Sequence, residues 1–343
     1  MTATTTRQPG RRAAALAAVL ASTLLVTGCA QTPPAPAPDP ATSGPVLTLD
    51  QNARVLDAMN AAIAAGTENL DPAQLEGRVT GPALAVRTSQ LEVAQTLETQ
   101  DLITVLPTDY QQIILSTNET WPRTAFAITE PTDQLQPQRL LTLVQEDPRS
   151  PFKLWAWVQL RPGLRMPLFA DPTIGSEVLA PDDDSLLVSP QDVVAQYADL
   201  LTTGDGSAFA ETFEPAEEDP FRVLLRTVAE TQTELLSADQ VNGTYTFSAT
   251  PRPDTPIKAV RTADGGAVVI GVLDGSEVME AMEGAKITPG TRTAQALLQG
   301  QDEANRVTGG FVDMIALYVP PAGSDEKVIL VGYSHVQTSA SFG

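Results

Sequence analysis

IKAVRTADGGAVVIGVL, residues 257–273, is two short runs of branched apolar residues, Ile257–Thr262 and Ala267–Leu273, parted by Asp264-Gly265. An Asp-Gly pair between such runs supplies the positive φ angles that a tight hairpin turn requires, so the two runs are expected to pair antiparallel. Further strand-like runs flank them: Thr244–Ala249 before, Phe311–Val319 and Val328–Val336 after. Helical patterns precede this meander. Ser189-Pro190-Gln191-Asp192 places a capping hydroxyl, a first-turn proline and a first-turn acid ahead of Val193, Val194, Tyr197, Leu200 and Leu201, with Gly204 as the stop. SAFAETF (207–213) reads as a shorter helical piece, and Asp219-Pro220 opens another helix, Phe221 to Leu236.

Residues before Asp171 repeat the order. Leu49-Asp50-Gln51 leads into a stripe of Val55, Met59 and Ile63 that ends near Gly66, and DPAQLEGR (71–78) adds a short helical segment. Four strand candidates follow, Tyr110–Thr117, Thr124–Thr129, Arg139–Gln145 and Lys153–Leu160, punctuated by Pro122, Pro131 and Pro148. Asp171 to Pro190, DPTIGSEVLAPDDDSLLVSP, interrupts the apolar pattern. Helices followed by an antiparallel meander predict an α+β class. The repetition predicts two tandem units, 47–172 and 189–343, each with N-terminal helices and a curved antiparallel sheet, joined by a linker at 173–188. Such a unit resembles the nuclear-transport-factor-2-like fold and, less fully, the cystatin fold.

Arg7, Arg11 and Arg12 are the only charges ahead of an uncharged run, Ala13 to Leu25, which is too short to span a bilayer comfortably and suits a signal-peptide core. Val26-Thr27-Gly28-Cys29 follows. Small residues before a cysteine at this place resemble the lipobox of bacterial lipoproteins. The resemblance implies diacylglycerol on the Cys29 sulfur, removal of residues 1–28, acylation (palmitate) of the new amino group, and attachment to the extracytoplasmic face of the cell membrane. Ala13-Ala14-Ala15 after the arginine pair lack bulky apolar side chains, which points to general secretory export. From Cys29 to Val46 the chain carries prolines at 33, 34, 36, 38, 40 and 45. Proline fixes φ and lacks an N–H, so residues 29–46 read as an extended tether, roughly 50 Å long at ~3.1 Å per residue.

The 343 residues hold 21 basic and 42 acidic side chains. Loss of the three leader arginines leaves 18 against 42, a mature net charge of −24. That balance argues against nucleic acid and anionic lipid surfaces as partners. A single cysteine excludes an intrachain disulfide, so stability rests on packed core. Three segments, LWAWVQLRPGLRMPLFADPTIGSE (154–177), VSPQDVVAQYADLLTTGD (188–205) and DMIALYVPPAGSDEKVILVGYSHV (313–336), resemble a family of actinobacterial lipoproteins of unknown function. The resemblance implies location and architecture and brings no catalytic residues.

His335 is the only histidine, which excludes a metal site built on several, and no cofactor motif is present: neither G-x-x-x-x-G-K-[ST], nor G-x-G-x-x-G after a strand, nor the G-x-S-x-G elbow. Asp182-Asp183-Asp184 lacks the spacing of a calcium loop and reads as a solvated charge run. Asp313, within FVDMIALYV, alternates with Phe311, Ile315 and Leu317 and would be a partly desolvated carboxylate if that face is interior. A hairpin with Val319 opposite Val328 sets Asp313 against Ser334; a one-residue slip sets it against His335. Trp155 and Trp157 share a strand face, with Arg161 and Arg165 as a basic rim, and mark a candidate binding surface; core tryptophans are the plainer reading. These features favour a non-catalytic binding or assembly module of the envelope, with an unidentified protein, peptide or glycan as partner. The alternative is a cone-fold enzyme acting on a small ligand with Asp313 as general acid or base.

Overall fold

A computed structural model of the chain describes residue 2 and residues 44–131, 136–237, 241–300 and 303–343. The expected signal peptide, Cys29 and the tether up to residue 43 lie outside the described residues.

Helix α1 (Leu49–Asn69) starts with a reciprocal cap: Thr48 Oγ1 accepts from Gln51 N at 3.2 Å, and Gln51 Oε1 accepts from Thr48 N at 2.8 Å. It continues past Gly66, whose missing Cβ leaves room for Leu75; a Cβ there would meet Leu75 Cδ2 at 2.6 Å. The 71–78 segment forms only a single 3-10 turn, Pro72–Gln74, capped by Asp71. Helix α2 (Gly81–Leu97) follows where the sequence reading placed none. Its apolar residues Ala83, Val86, Leu91, Val93 and Ala94 are buried, but so are Arg87, Ser89 and Gln90, which blurs the stripe. Four strands complete the first half: β1 (Tyr110–Leu115), β2 (Arg123–Thr129), β3 (Arg139–Gln145) and β4 (Lys153–Leu160).

The second half opens with α3 (Pro190–Thr203), capped by Ser189, and α4 (Pro220–Leu236), whose cap Asp219 accepts from Phe221 N at 2.9 Å and Arg222 N at 3.1 Å. Strands β5 (Thr244–Pro251), β6 (Lys258–Arg261) and β7 (Ala267–Glu280) lead to a short helix α5 (Arg292–Leu297) and to β8 (Arg306–Val319) and β9 (Ile329–Phe342). Asp264-Gly265 lies in the turn between β6 and β7, as expected, but in a three-residue loop closed by Thr262 N on Gly266 O at 2.9 Å; only Gly265 has positive φ, +90°, and Gly266 N donates to Asp264 Oδ1 at 3.0 Å.

The protein is α+β, and among the described residues nine strands form one sheet ordered β1-β2-β3-β4-β9-β8-β7-β5, with β6 also on β7; each of these strand pairs is antiparallel. The two halves read from the sequence therefore share a sheet. They join where Gln159 pairs with Tyr333 and Leu160 with Gly332. Gly332 permits that approach, since a Cβ would sit 2.4 Å from Gln159 O. Residues 173–188 are stitched to both sides of the seam: Ser176 bridges Ser116, and Val178 bridges Val260.

Burial explains the unbroken apolar run in β7. Val268, Ile270 and Val272 enter a core shared with α1, α2 and strands β1–β4. Val269 and Leu273 face the opposite way, into a core with α3 and α4. Helices thus cover both faces of this part of the sheet, and apolar residues are needed on both. At Gly271 helix α3 packs tightly on the sheet, for a Cβ would meet Val194 Cγ2 at 2.6 Å.

Candidate functional site

Near its turn, the β8–β9 hairpin has the expected register, Tyr318 opposite Ile329 and Leu317 opposite Leu330. Then Ala316 pairs with Gly332, leaving Val331 as an extra residue on β9. This bulge is the one-residue slip: beyond it Asp313 lies opposite His335. Its position is no accident of the hairpin alone, because Val331 O accepts from Arg161 N at 2.9 Å just where β4 meets β9. The seam between the halves therefore sets the register that brings carboxylate and imidazole together.

Asp313 is fully buried, and its Oδ1 lies 2.6 Å from His335 Nδ1. Oδ2 is buried without a hydrogen-bond partner. It fits against Gly275 on β7, where a Cβ would come within 2.6 Å of it. Burial raises the Asp313 carboxyl above its ordinary range, and the His335 hydrogen bond and charge oppose the rise. An anionic Asp313 keeps the proton on Nδ1 and leaves Nε2 as the basic nitrogen of the ring.

Three phenylalanines hold that ring. Phe311 stacks on it with centroids 4.2 Å apart and planes 5° apart; Phe221 lies tilted at 5.3 Å and Phe247 edge-on at 6.1 Å. Phe221 is fixed in turn by its stack on Tyr333 at 4.5 Å and by its place in the first turn of α4. The cap of that helix, Asp219, also accepts from Tyr197 Oη at 2.9 Å; burial first and the nearby carboxylate second push the Tyr197 hydroxyl well above 10. Glu277 on β7 completes the surroundings: burial raises its carboxyl, and the charge of His335 and the Tyr245 hydroxyl pull it back. His335 borders a cleft of about 340 Å³ that Ser89, Gln90, Thr104, Thr291 and Gln337 also line. The arrangement can accept and donate hydrogen bonds from one fixed ring, and it can relay a proton.

The tryptophan surface is corrected by burial. Trp157 is wholly inaccessible beneath the Arg87 guanidinium, 5.4 Å from the ring centroid, and Trp155 is 4% exposed against Gly81 and Lys258. Helices lie over a face that the strand alternation alone left open. Arg161 is held by an ion pair to the buried Glu214 at 2.5 Å, while Arg165 is exposed. The structure therefore unites Asp313 with His335 and disperses the other candidates. The sequence reading missed the aromatic collar, since Phe221 and Phe247 come from elements distant along the chain, and it missed Arg87. The only available signal for Arg87 was a single cation amid ALAVRTSQLEVA.

Among the described residues no group of three His, Cys, Asp or Glu side chains is placed to hold a metal, and no helix is long and apolar enough to cross a membrane. Fold and site together define an α+β protein on one antiparallel sheet, with a buried carboxylate–imidazole pair beside a cleft of mixed polar and apolar lining. The chain belongs to the family described as a domain of unknown function (DUF8094), which matches residues 43–341. That span coincides with the compact unit Ser43–Gly343, so the family unit is the whole sheet and not one half of it. No curated protein and no solved structure matches the chain.

Proposed function

We propose that the protein is an exported lipoprotein, anchored through diacylglycerol on Cys29 at the extracytoplasmic face, and that it serves there as a non-catalytic binding or assembly module. The likeness of each half to a nuclear-transport-factor-2-like cone belongs to the same reading. One observation carries it. His335 is immobilised by Asp313 and three aromatic rings at the edge of a cleft that offers both polar and apolar groups, and no hydroxyl or thiol among the described residues is hydrogen-bonded to its ring. A ring so fixed suits recognition of a polar group on a protein, peptide or glycan. The test is proximity crosslinking in the native envelope with the anchored chain, Cys29→Ala and His335→Gln. A partner recovered with the anchored chain and lost with both variants supports the reading. Equal recovery from all three counts against both the anchor and the cleft.

A second reading has its own support. The buried Asp313 at 2.6 Å from His335 is an arrangement suited to general acid–base work on a small ligand. Turnover of any compound that His335→Gln and Asp313→Asn both abolish, with folding intact, would move the protein into this class.

A further inference from the structure

A hollow of about 560 Å³ lies between α1, α2 and the 100–108 loop, within the usual size range of small-molecule sites, roughly 300–1,000 Å³. Ile63, Ala64, Ile103, Val105 and Leu106 give it an apolar wall. Val105 is 52% exposed at the rim of the hollow. Arg87 also lines it, and so does the exposed Glu68, which forms no ion pair with Arg87.

Arg87 is 2% exposed, its Nη2 is buried without a hydrogen-bond partner, and it forms no ion pair with any described residue. Its compensation within the chain is the face of Trp157. A second buried cation stands close enough to repel it. Arg139, 8% exposed, donates from Nε to Val105 O at 2.8 Å and likewise pairs with no carboxylate among the described residues. Burial, and for Arg87 the charge of Arg139, lowers both groups to about 10. Buried arginines are ordinarily paired, because an unpaired charge in an apolar setting is costly. This chain has twice as many acidic as basic side chains, 42 against 21, yet no described residue forms an ion pair with either of these two.

We infer that the hollow binds an amphiphile with an anionic oxygen head, a carboxylate or phosphate monoester, and a hydrocarbon body. The head pairs with the Arg87 guanidinium, whose planar fork matches such oxygens, and the body lies along Ile63, Ile103, Val105 and Leu106. The site is separate from the His335 cleft, although Thr104 borders both.

The experiment uses the full chain with Cys29→Ala, purified without detergent, and cis-parinarate as a fluorescent fatty-acid probe below its micelle concentration. Saturable binding is expected, displaced by palmitate at about tenfold or lower concentration than by hexadecanol of the same chain length. Hexadecyl phosphate against palmitate then distinguishes the two heads. Ala64→Trp, which fills the hollow from its exposed rim, is expected to weaken probe binding about tenfold or more with an unchanged circular dichroism spectrum. Arg87→Gln should remove the acid-over-alcohol preference. Absence of saturable binding overturns the inference. So does equal displacement by acid and alcohol, or full binding by Ala64→Trp. None of these results bears on crosslinking at the His335 cleft, so the two readings fail separately.

Discussion

Among the places where the described residues bury charge, two neighbouring ones treat it in opposite ways. At the β8–β9 pair, Asp313 meets His335 at 2.6 Å inside an aromatic collar, so the charge is answered from within the chain. Across α2, Arg87 and Arg139 are buried side by side with no acid from any described residue. Internal pairing fixes geometry and serves the folded state itself. An unanswered cation raises the energy of the unliganded state and lowers the cost of capturing an anion. The contrast implies that substitutions removing charge at the two places should change stability with opposite sign.

The largest effect is expected for His335→Leu. It leaves a fully buried Asp313 with no partner for either oxygen, a break of the kind that costs about 3–5 kcal/mol near neutral pH. The pH dependence has a definite sign. The folded Asp313 carboxyl is already held above its unfolded value, chiefly by burial, so between the two the folded state carries more protons. Its unfavourable contribution therefore grows as pH rises through the folded value and fades as pH falls. Without the opposing imidazole the window extends upward. Urea unfolding of His335→Leu should show part of the loss recovered as pH falls from neutral through the raised folded value of Asp313. A loss independent of pH would mean that Asp313 is not the strained group.

Gly275→Ala tests the same pocket from the opposite strand. The new methyl would lie 2.6 Å from Asp313 Oδ2, 3.2 Å from Phe311 Cβ and 3.3 Å from Phe247 Cζ. Overpacking of this sort costs about 1–3 kcal/mol. The accompanying sign is displacement of the His335 ring, measurable as a changed imidazole chemical shift. A stability loss without that change would place the strain elsewhere.

Much of the first pocket was legible before the fold was known, and little of the second. Asp313 announced itself as an acid inside an apolar alternation, and the hairpin register near Val319 and Val328 followed from the turn. What decided the pairing was the bulge at Val331, and its cause is the joining of β4 to β9, a contact between halves that no local pattern encodes. The same long-range contact turned two expected units into one sheet. Strands β1 to β4 were readable because branched residues and prolines bound them sharply. Helix α2 was not, because its buried polar residues interrupt the very periodicity that reveals a helix. The tryptophans misled for a related reason: alternation shows that Trp155 and Trp157 share a face, but not that a helix carrying Arg87 lies over it.

Arg87→Met should act in the opposite direction to His335→Leu. A side chain of similar length without the unpaired charge is expected to stabilise the unliganded protein, by up to about 2 kcal/mol, with loss of the Trp157 contact setting the limit. A rise in thermal midpoint without ligand, together with loss of protection by palmitate, is the expected pair of results. Destabilisation comparable to that of His335→Leu would mean that Arg87 is answered after all, and the contrast between the two places would fail.

The smallest effect is the coupling between the two arginines. If Arg87 and Arg139 repel one another, removing either relieves the other. The stability changes of Arg87→Met and Arg139→Met should then fall short of additivity in the double variant, by about 0.5–1 kcal/mol in the sense of a repulsive pair. The same cycle on Asp313→Asn and His335→Gln should give a coupling of the opposite, attractive sign, since those groups share a hydrogen bond. Salt discriminates further: both arginines are buried, so 0.5 M salt, roughly a 4 Å screening length, should leave their coupling nearly unchanged. A repulsive term that vanishes in salt would place the arginines in contact with water. The hollow would then be a wet cleft whose cations need no ligand to answer them.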